Sequence, residues 1–150
     1  MIGSPAEGRV EEILVYPERR GAARECEEVI AVAGVGLAGD HRRNPSRAVT
    51  LLSVEAWEEA MAAMGAGLPP RARRANLVVR GLDLGSLVGR SLRIGGAEMT
   101  VRGETVPCER MDLQRAGLQE ALRIEMRGGV FGPVERSGRI RLGDAVSVVE

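Results

Sequence analysis

The residue with the clearest chemical potential is Cys108, in Gly103-Glu-Thr-Val-Pro-Cys-Glu-Arg-Met-Asp112. A proline stiffens the chain on its N-terminal side, and Glu109, Arg110 and Asp112 read as the polar first turn of a helix. A thiol at such a helix start meets the positive end of the helix dipole, which favours the thiolate that nucleophilic sulfur chemistry and soft-metal ligation both need. An inert, buried cysteine is the competing reading of the same residue. The second cysteine, Cys26, lies in Arg-Glu-Cys-Glu-Glu28, where neighbouring carboxylates oppose thiolate formation, and reads as structural.

Arginine supplies the other candidate groups. Lys+Arg and Asp+Glu balance at 21 each, so no overall field draws the chain to nucleic acid or to a membrane surface. No lysine occurs in the sequence, so any oxyanion site uses forked guanidinium groups. The missing lysine also excludes pyridoxal phosphate held on this chain as a Schiff base. Arg71, Arg73 and Arg74 stand just before the apolar run Leu77-Val-Val79, beside Asn76, where they read equally well as an anion site or as a solvated loop. Asp40, His41, Arg42, Arg43 and Arg47 form the densest polar cluster of the first half.

The elements that must position these groups are mostly strands. Aromatics make up only 2% of the chain, so the core is aliphatic and the stacking platforms of a single-strand nucleic-acid binder are missing. Residues 1–8 read as a flexible lead-in, and residues 9–150 as one domain without repeat or linker. Strands are expected around Val10–Val15, Glu28–Ala33, Ala48–Leu52, Leu77–Val79, Ser91–Ile94, Ala97–Val101, Arg139–Leu142 and Ala145–Val149. Ser53 reads as the N-cap of an amphipathic helix carrying Trp57, Ala60, Met61 and Met64, and one or two shorter helices are expected after Cys108. Gly34-Val-Gly-Leu-Ala-Gly39 resembles a phosphate loop only superficially, because no helical pattern follows it. Many short strands with few helices predict a β-rich α+β class: a β-barrel or closed sheet with helices at its ends. No apolar run is long enough to span a bilayer, and no leader precedes the first strand, so a cytoplasmic location is the expectation.

Six segments in order, Gly36-Leu-Ala-Gly-Asp40, Arg74 to Asp83, Leu87 to Gly95, Pro107-Cys108, Arg127-Gly-Gly-Val130 and Ile140 to Asp144, together resemble the MOSC domain, named for the C-terminal domain of molybdenum cofactor sulfurase. The resemblance spans about Arg9 to the C-terminus, as a stand-alone bacterial version. It implies a MOSC-like β-barrel with a few short helices at its ends, and a functional cysteine that maps onto Cys108. That cysteine either carries sulfur as a persulfide or ligates the molybdenum of a pterin cofactor. Asp40, Arg73, Arg74, Asn76, Arg127, Gly128 and Gly129 are then the cofactor-binding candidates. Expected partners are a cysteine desulfurase or other sulfur donor, which would hold the pyridoxal phosphate, and the molybdenum pterin cofactor or a molybdoenzyme acceptor. Two other readings stand beside it: a molybdenum-dependent reductase of N-hydroxylated substrates with a separate electron donor, and a non-catalytic interaction domain. The family often reads Gly-Asp-Arg-His, whereas His41 here directly follows Asp40, so no role for His41 carries over.

Overall fold

In a computed structural model, residues 7–41 and 44–150 are described. Most of the expected lead-in, and Arg42 and Arg43 of the polar cluster, lie outside them. Thirteen strands occur among the described residues. They are β1 (Glu7–Val15), β2 (Arg24–Cys26), β3 (Glu28–Val32), β4 (Gly36–Leu37), β5 (Val49–Ser53), β6 (Leu77–Arg80) and β7 (Ser91–Ile94), followed by β8 (Ala97–Thr100), β9 (Gly103–Glu104), β10 (Val130–Gly132), β11 (Val134–Arg136), β12 (Gly138–Arg141) and β13 (Ala145–Val148). The two α-helices are α1 (Val54–Met64) and α2 (Leu118–Arg123), with short 3₁₀ turns between elements.

The main sheet runs β11-β8-β7-β13-β1-β6-β5-β10-β9, with β2 paired to β1, and β12-β3-β4 form a second, three-stranded sheet. The strand ladders do not close this sheet into the expected barrel, and its order ends at β11 and β9. The break has a physical cause at Pro133, between β10 and β11. Proline offers no N–H to a ladder, so one extended segment becomes two short strands at different places in the order. Thr100 N still donates to the Pro133 carbonyl at 3.3 Å, and Arg102 N to the Phe131 carbonyl at 2.8 Å, across the interruption.

Alternation explains which strand faces pack. β1 reads exposed-buried-exposed-buried over Glu7 to Val10, then turns apolar at Ile13, Leu14 and Val15, where both faces are covered. A register shift between Val10 and Glu12 marks the change. The main core is aliphatic and sits on the sheet, with Ile13, Leu51, Leu77, Leu92, Val130 and Val146 among its members.

α1 begins where the sequence places it. Ser53 is extended, and its Oγ accepts from Ala56 N at 3.1 Å. The helix stops at Gly65, whose φ of 63° is a conformation that costs glycine little. α1 also connects β5 to β6, a parallel pair within a largely antiparallel sheet. Trp57 is buried and donates from Nε1 to the Leu68 carbonyl at 2.8 Å. It packs in a second cluster with Leu52, Met111, Leu118 and Leu122, so the helices cover the sheet and anchor the Cys108 segment through Met111. Among the described residues no helix is long and apolar enough to cross a membrane.

Candidate functional site

Cys108 is exposed and occupies the N-cap position of a 3₁₀ turn, Glu109–Leu113. The expected α-helix start is therefore one short turn of a tighter helix, whose dipole is correspondingly small. What faces the sulfur instead is a cleft of about 280 Å³, whose walls include Arg19, Arg73, Arg74, Arg110, His41 and Thr105.

Arg73 forms the back of the cleft. Its Nε donates to the Gly128 carbonyl at 2.9 Å and its Nη2 to the Thr105 carbonyl at 2.8 Å, while Nη1 lies 3.8 Å from Met111 Sδ. Burial pushes this guanidinium below its ordinary value, while its electrostatic interactions with Cys108 and Glu104 pull it back up. A guanidinium nonetheless stays cationic in a protein, so the back wall carries a fixed positive charge. Arg74 has a left-handed backbone, φ 65°, which turns its side chain across the Tyr16 ring, 4.3 Å from the centroid. Its Nη1 donates to the Gly21 carbonyl at 2.8 Å. Both arginines thus spend their donors on backbone carbonyls and contribute charge to the cleft. Arg19 and Arg110, on its exposed rim, have no side-chain partner among the described residues and keep their donors.

Two further groups face the cleft. His41 donates from its backbone N to the Tyr16 carbonyl at 2.8 Å, and its Nδ1 lies 2.9 Å from the same oxygen. A carbonyl only accepts, so Nδ1 carries the proton and Nε2 is left for the cleft. Thr105 Oγ1 is buried without a hydrogen-bond partner among the described residues.

The other sequence candidates lie behind or beside this cleft. Asn76 is fully buried and knots three segments together. Its Oδ1 accepts from Thr50 N at 3.1 Å and from Thr50 Oγ1 at 3.2 Å, and its Nδ2 donates to the Leu14 carbonyl at 3.1 Å and approaches Asp40 Oδ1 at 3.5 Å. Asp40 Oδ1 also accepts from Tyr16 N at 2.8 Å, which fixes the segment leading to His41. Gly128 borders the cleft, where an added Cβ would stand 2.8 Å from the Thr105 carbonyl. Gly129 sits against the backbone of β5, and a Cβ there would overlap the Leu51 carbonyl. Arg127 lines a neighbouring cavity and pairs with Glu59 at 3.6 Å. The structure therefore brings Cys108, Arg73, Arg74 and Gly128 together, and gives Asn76, Asp40 and Gly129 supporting positions. Arg19 and Arg110 escaped the sequence reading as site residues. Arg110 carries a signal, two positions from Cys108, whereas Arg19 reaches the cleft only through the β1–β2 connection.

Comparison with known proteins decides the family. The family model of the MOSC domain matches residues 38–147. The chain belongs to the MOSC domain family. Its fold is also that of solved MOSC-like structures. YuaD from Bacillus subtilis superposes with a TM-score of 0.79 at 22% identity, covering 95% of each chain. YiiM from Geobacillus stearothermophilus gives 0.77 at 17% identity over 95% of this chain and 75% of that one, and YiiM from Escherichia coli gives 0.74 at 17% over 99% and 71%. At these identities the likeness speaks for the MOSC fold alone. No curated protein sequence gives a significant match. The MOSC family is associated with molybdenum cofactor binding and with sulfurase-like roles, and the matched span includes Cys108 together with both central arginines.

Proposed function

We propose that this MOSC protein binds a molybdenum-bearing pterin through Cys108, its single protein ligand to the metal. The observation that supports this reading is an exposed thiol in an arginine-walled cleft whose rim arginines, Arg19 and Arg110, keep their donors. Among the described residues no group of three or more His, Cys, Asp or Glu is placed to cage a metal ion. A metal that arrives with the pterin's own sulfur donors needs only one more soft ligand, which a lone thiolate provides. The donor set fits the rest of the cofactor as well. Arg19 and Arg110 suit its terminal phosphate as bidentate donors, and the unpartnered Thr105 Oγ1 offers one more polar contact.

When bound, the cofactor would supply two-electron chemistry at the metal. The chain's own residues bind and orient. Arg73 fixes the Cys108 segment by holding the Thr105 and Gly128 carbonyls, and lends its charge to the sulfur. His41, pinned through Nδ1, keeps Nε2 available to take or give a proton at the cleft wall.

The exposure of Cys108 favours a second reading, a sulfur carrier. In that scheme the Cys108 thiolate attacks the terminal sulfur of a donor's persulfide. The donor's S–S bond breaks, a new S–S bond forms on Cys108, and the donor leaves as a thiolate with no net oxidation. The donor would be a pyridoxal-phosphate-dependent cysteine desulfurase in the cytoplasm.

Metal and pterin analysis of protein purified from a cofactor-producing host tests the first reading. Stoichiometric molybdenum and pterin that vanish in Cys108→Ser support it, and neither in the parent protein removes it. The carrier reading is tested separately, by intact mass after incubation with a desulfurase and cysteine. One added sulfur that is missing in Cys108→Ser is the expected result, and no mass gain rejects it.

A further inference from the structure

The cavity next to the Cys108 cleft is a different kind of site. It is an open pocket of about 660 Å³ between the start of α1, the loop after β6 and residues 125–127. Arg127 forms part of its wall while the next residue, Gly128, borders the Cys108 cleft, so the two spaces are separated by one peptide step.

The chain is bent to put Arg127 there. Glu125 and Met126 both have left-handed backbones, with φ of 50° and 56°, a conformation that costs non-glycine residues roughly 1–2 kcal/mol each. Strain of this kind, immediately before an inward-facing charged side chain, is what a functional position retains. The Arg127 side chain is only 15% exposed, and its Nε is buried without a hydrogen-bond partner among the described residues. Its one ion pair among the described residues is loose, at 3.6 Å to Glu59, a carboxylate that is 60% exposed.

The remaining charges are acidic. Glu55 accepts from Gly81 N at 3.0 Å and faces Arg80 at 3.6 Å, so its charge is already met. Asp83 and Glu125, both exposed on the rim, have no ion pair or side-chain hydrogen bond among the described residues. A simple anion attracted by Arg127 would meet that surplus of carboxylates. A simple cation would leave the unsatisfied Arg127 Nε untouched. A molecule with both charges answers both demands.

We propose that this cavity binds a small aminocarboxylate, a zwitterion of the amino acid or dipeptide class. Its carboxylate takes the Arg127 guanidinium in place of Glu59, and its ammonium group lies toward Asp83 and Glu125. The site is independent of metal or sulfur at Cys108.

Titration of the ¹⁵N-labelled intact chain with three small probes tests this. Glycylglycine carries both charges, N-acetylglycine only the negative one and glycinamide only the positive one. The expected result is saturable shifts at Gly81, Gly85 and Arg127 with glycylglycine, with each single-charge probe weaker by about tenfold or more. Arg127→Gln should abolish the response, Asp83→Asn should weaken it, and Glu59→Gln should strengthen binding about threefold or more by removing the competing carboxylate. If Arg127→Gln does not fold, the opposite signs of the other two variants carry the test. Equal responses to all three probes, shifts elsewhere, no saturable shift, or no effect of Glu59→Gln and Asp83→Asn would overturn the proposal. Cys108→Ser should bind glycylglycine as the parent does, so failure here is distinguishable from failure of the cofactor or carrier reading.

Discussion

Arg73 Nη2 donates to the Thr105 carbonyl at 2.8 Å, so a side chain just before β6 holds the strand-to-turn segment that presents Cys108. With Nε on Gly128 and Nη1 near Met111, one guanidinium ties the residues before Cys108, the residues after it and the glycine loop into one body. Arg73→Met keeps the length and removes the donors, leaving two carbonyls without their partner. The expected loss is about 2–4 kcal/mol of stability, measured by urea unfolding, with faster amide exchange concentrated in residues 105–111. Arg73→Lys should recover only part of this, because an ammonium group cannot reproduce the planar fork.

Asn76 makes a comparable demand at the centre of the fold. Its amide bridges β1 through the Leu14 carbonyl, β5 through Thr50, and the Asp40 carboxylate. Asn76→Ala should cost about 2–4 kcal/mol by stranding buried partners. Asn76→Asp should be worse at neutral pH, because a carboxylate cannot donate to Leu14 and stands beside Asp40. Part of the deficit should return on acidification, which a pair of unfolding curves will show.

Gly129, a cofactor-binding candidate by sequence, has a clear packing duty. Its φ is 101°, and a Cβ would run into the Leu51 carbonyl. Gly129→Ala should lower stability by at least about 2 kcal/mol and loosen the β5–β10 pairing. Thermal unfolding together with amide exchange at Val130 checks this outcome.

What was legible in the sequence follows from how local each cause is. The Ser53 cap and the strands at Ser91–Ile94 and Ala97–Thr100 are written in adjacent residues, and the structure follows them. The Pro-Cys segment left a presented thiol and an inert, buried one both open, and the structure exposes Cys108. Its expected helix was not legible, because five residues between Cys108 and Gln114 close as a 3₁₀ turn whose fate depends on Met111 docking among Trp57, Leu118 and Leu122. Arg19 and Arg73 line one cleft because β1 pairs with both β2 and β6, a register that no local pattern contains. Arg127 sits two positions from Gly129, yet two left-handed residues before it turn its side chain into the other cavity. Such a backbone is invisible in a Glu-Met sequence.

Glu12 gives a pH-dependent signature. Its carboxyl is raised above its ordinary value chiefly by burial, with Arg71, 3.7 Å away, lowering it and Glu25 and Glu11 raising it further. A carboxyl whose folded value exceeds its unfolded value makes folding harder wherever it is ionised in both states. The penalty is therefore present above the folded value and fades as pH falls toward the unfolded one. Glu12→Gln should stabilise the protein slightly at pH 7, by less than about 1 kcal/mol. The advantage should vanish near about pH 3.5, below the unfolded glutamate value of about 4.3. Urea midpoints of the two proteins at both pH values provide the comparison.

The two cysteines and the rim arginines allow a charge test of the cleft. Cys108 is exposed, whereas Cys26 is half-buried against the main core with its Sγ 3.7 Å from the Arg24 carbonyl. Limited alkylation of the folded protein should therefore label Cys108 first, read by peptide mass. Iodoacetate and iodoacetamide attack the same sulfur but differ in charge, so their rate ratio reports the field at the cleft and cancels the reactivity of the thiol. In the parent protein the ratio should favour the anion relative to a denatured control, because Arg19 and Arg110 draw it in. Arg19→Gln with Arg110→Gln should slow iodoacetate more than iodoacetamide, lowering their rate ratio by about threefold to tenfold, and added salt should shrink the difference. An unchanged ratio, with equal loss for both reagents, would mean that these arginines do not draw anions into the cleft.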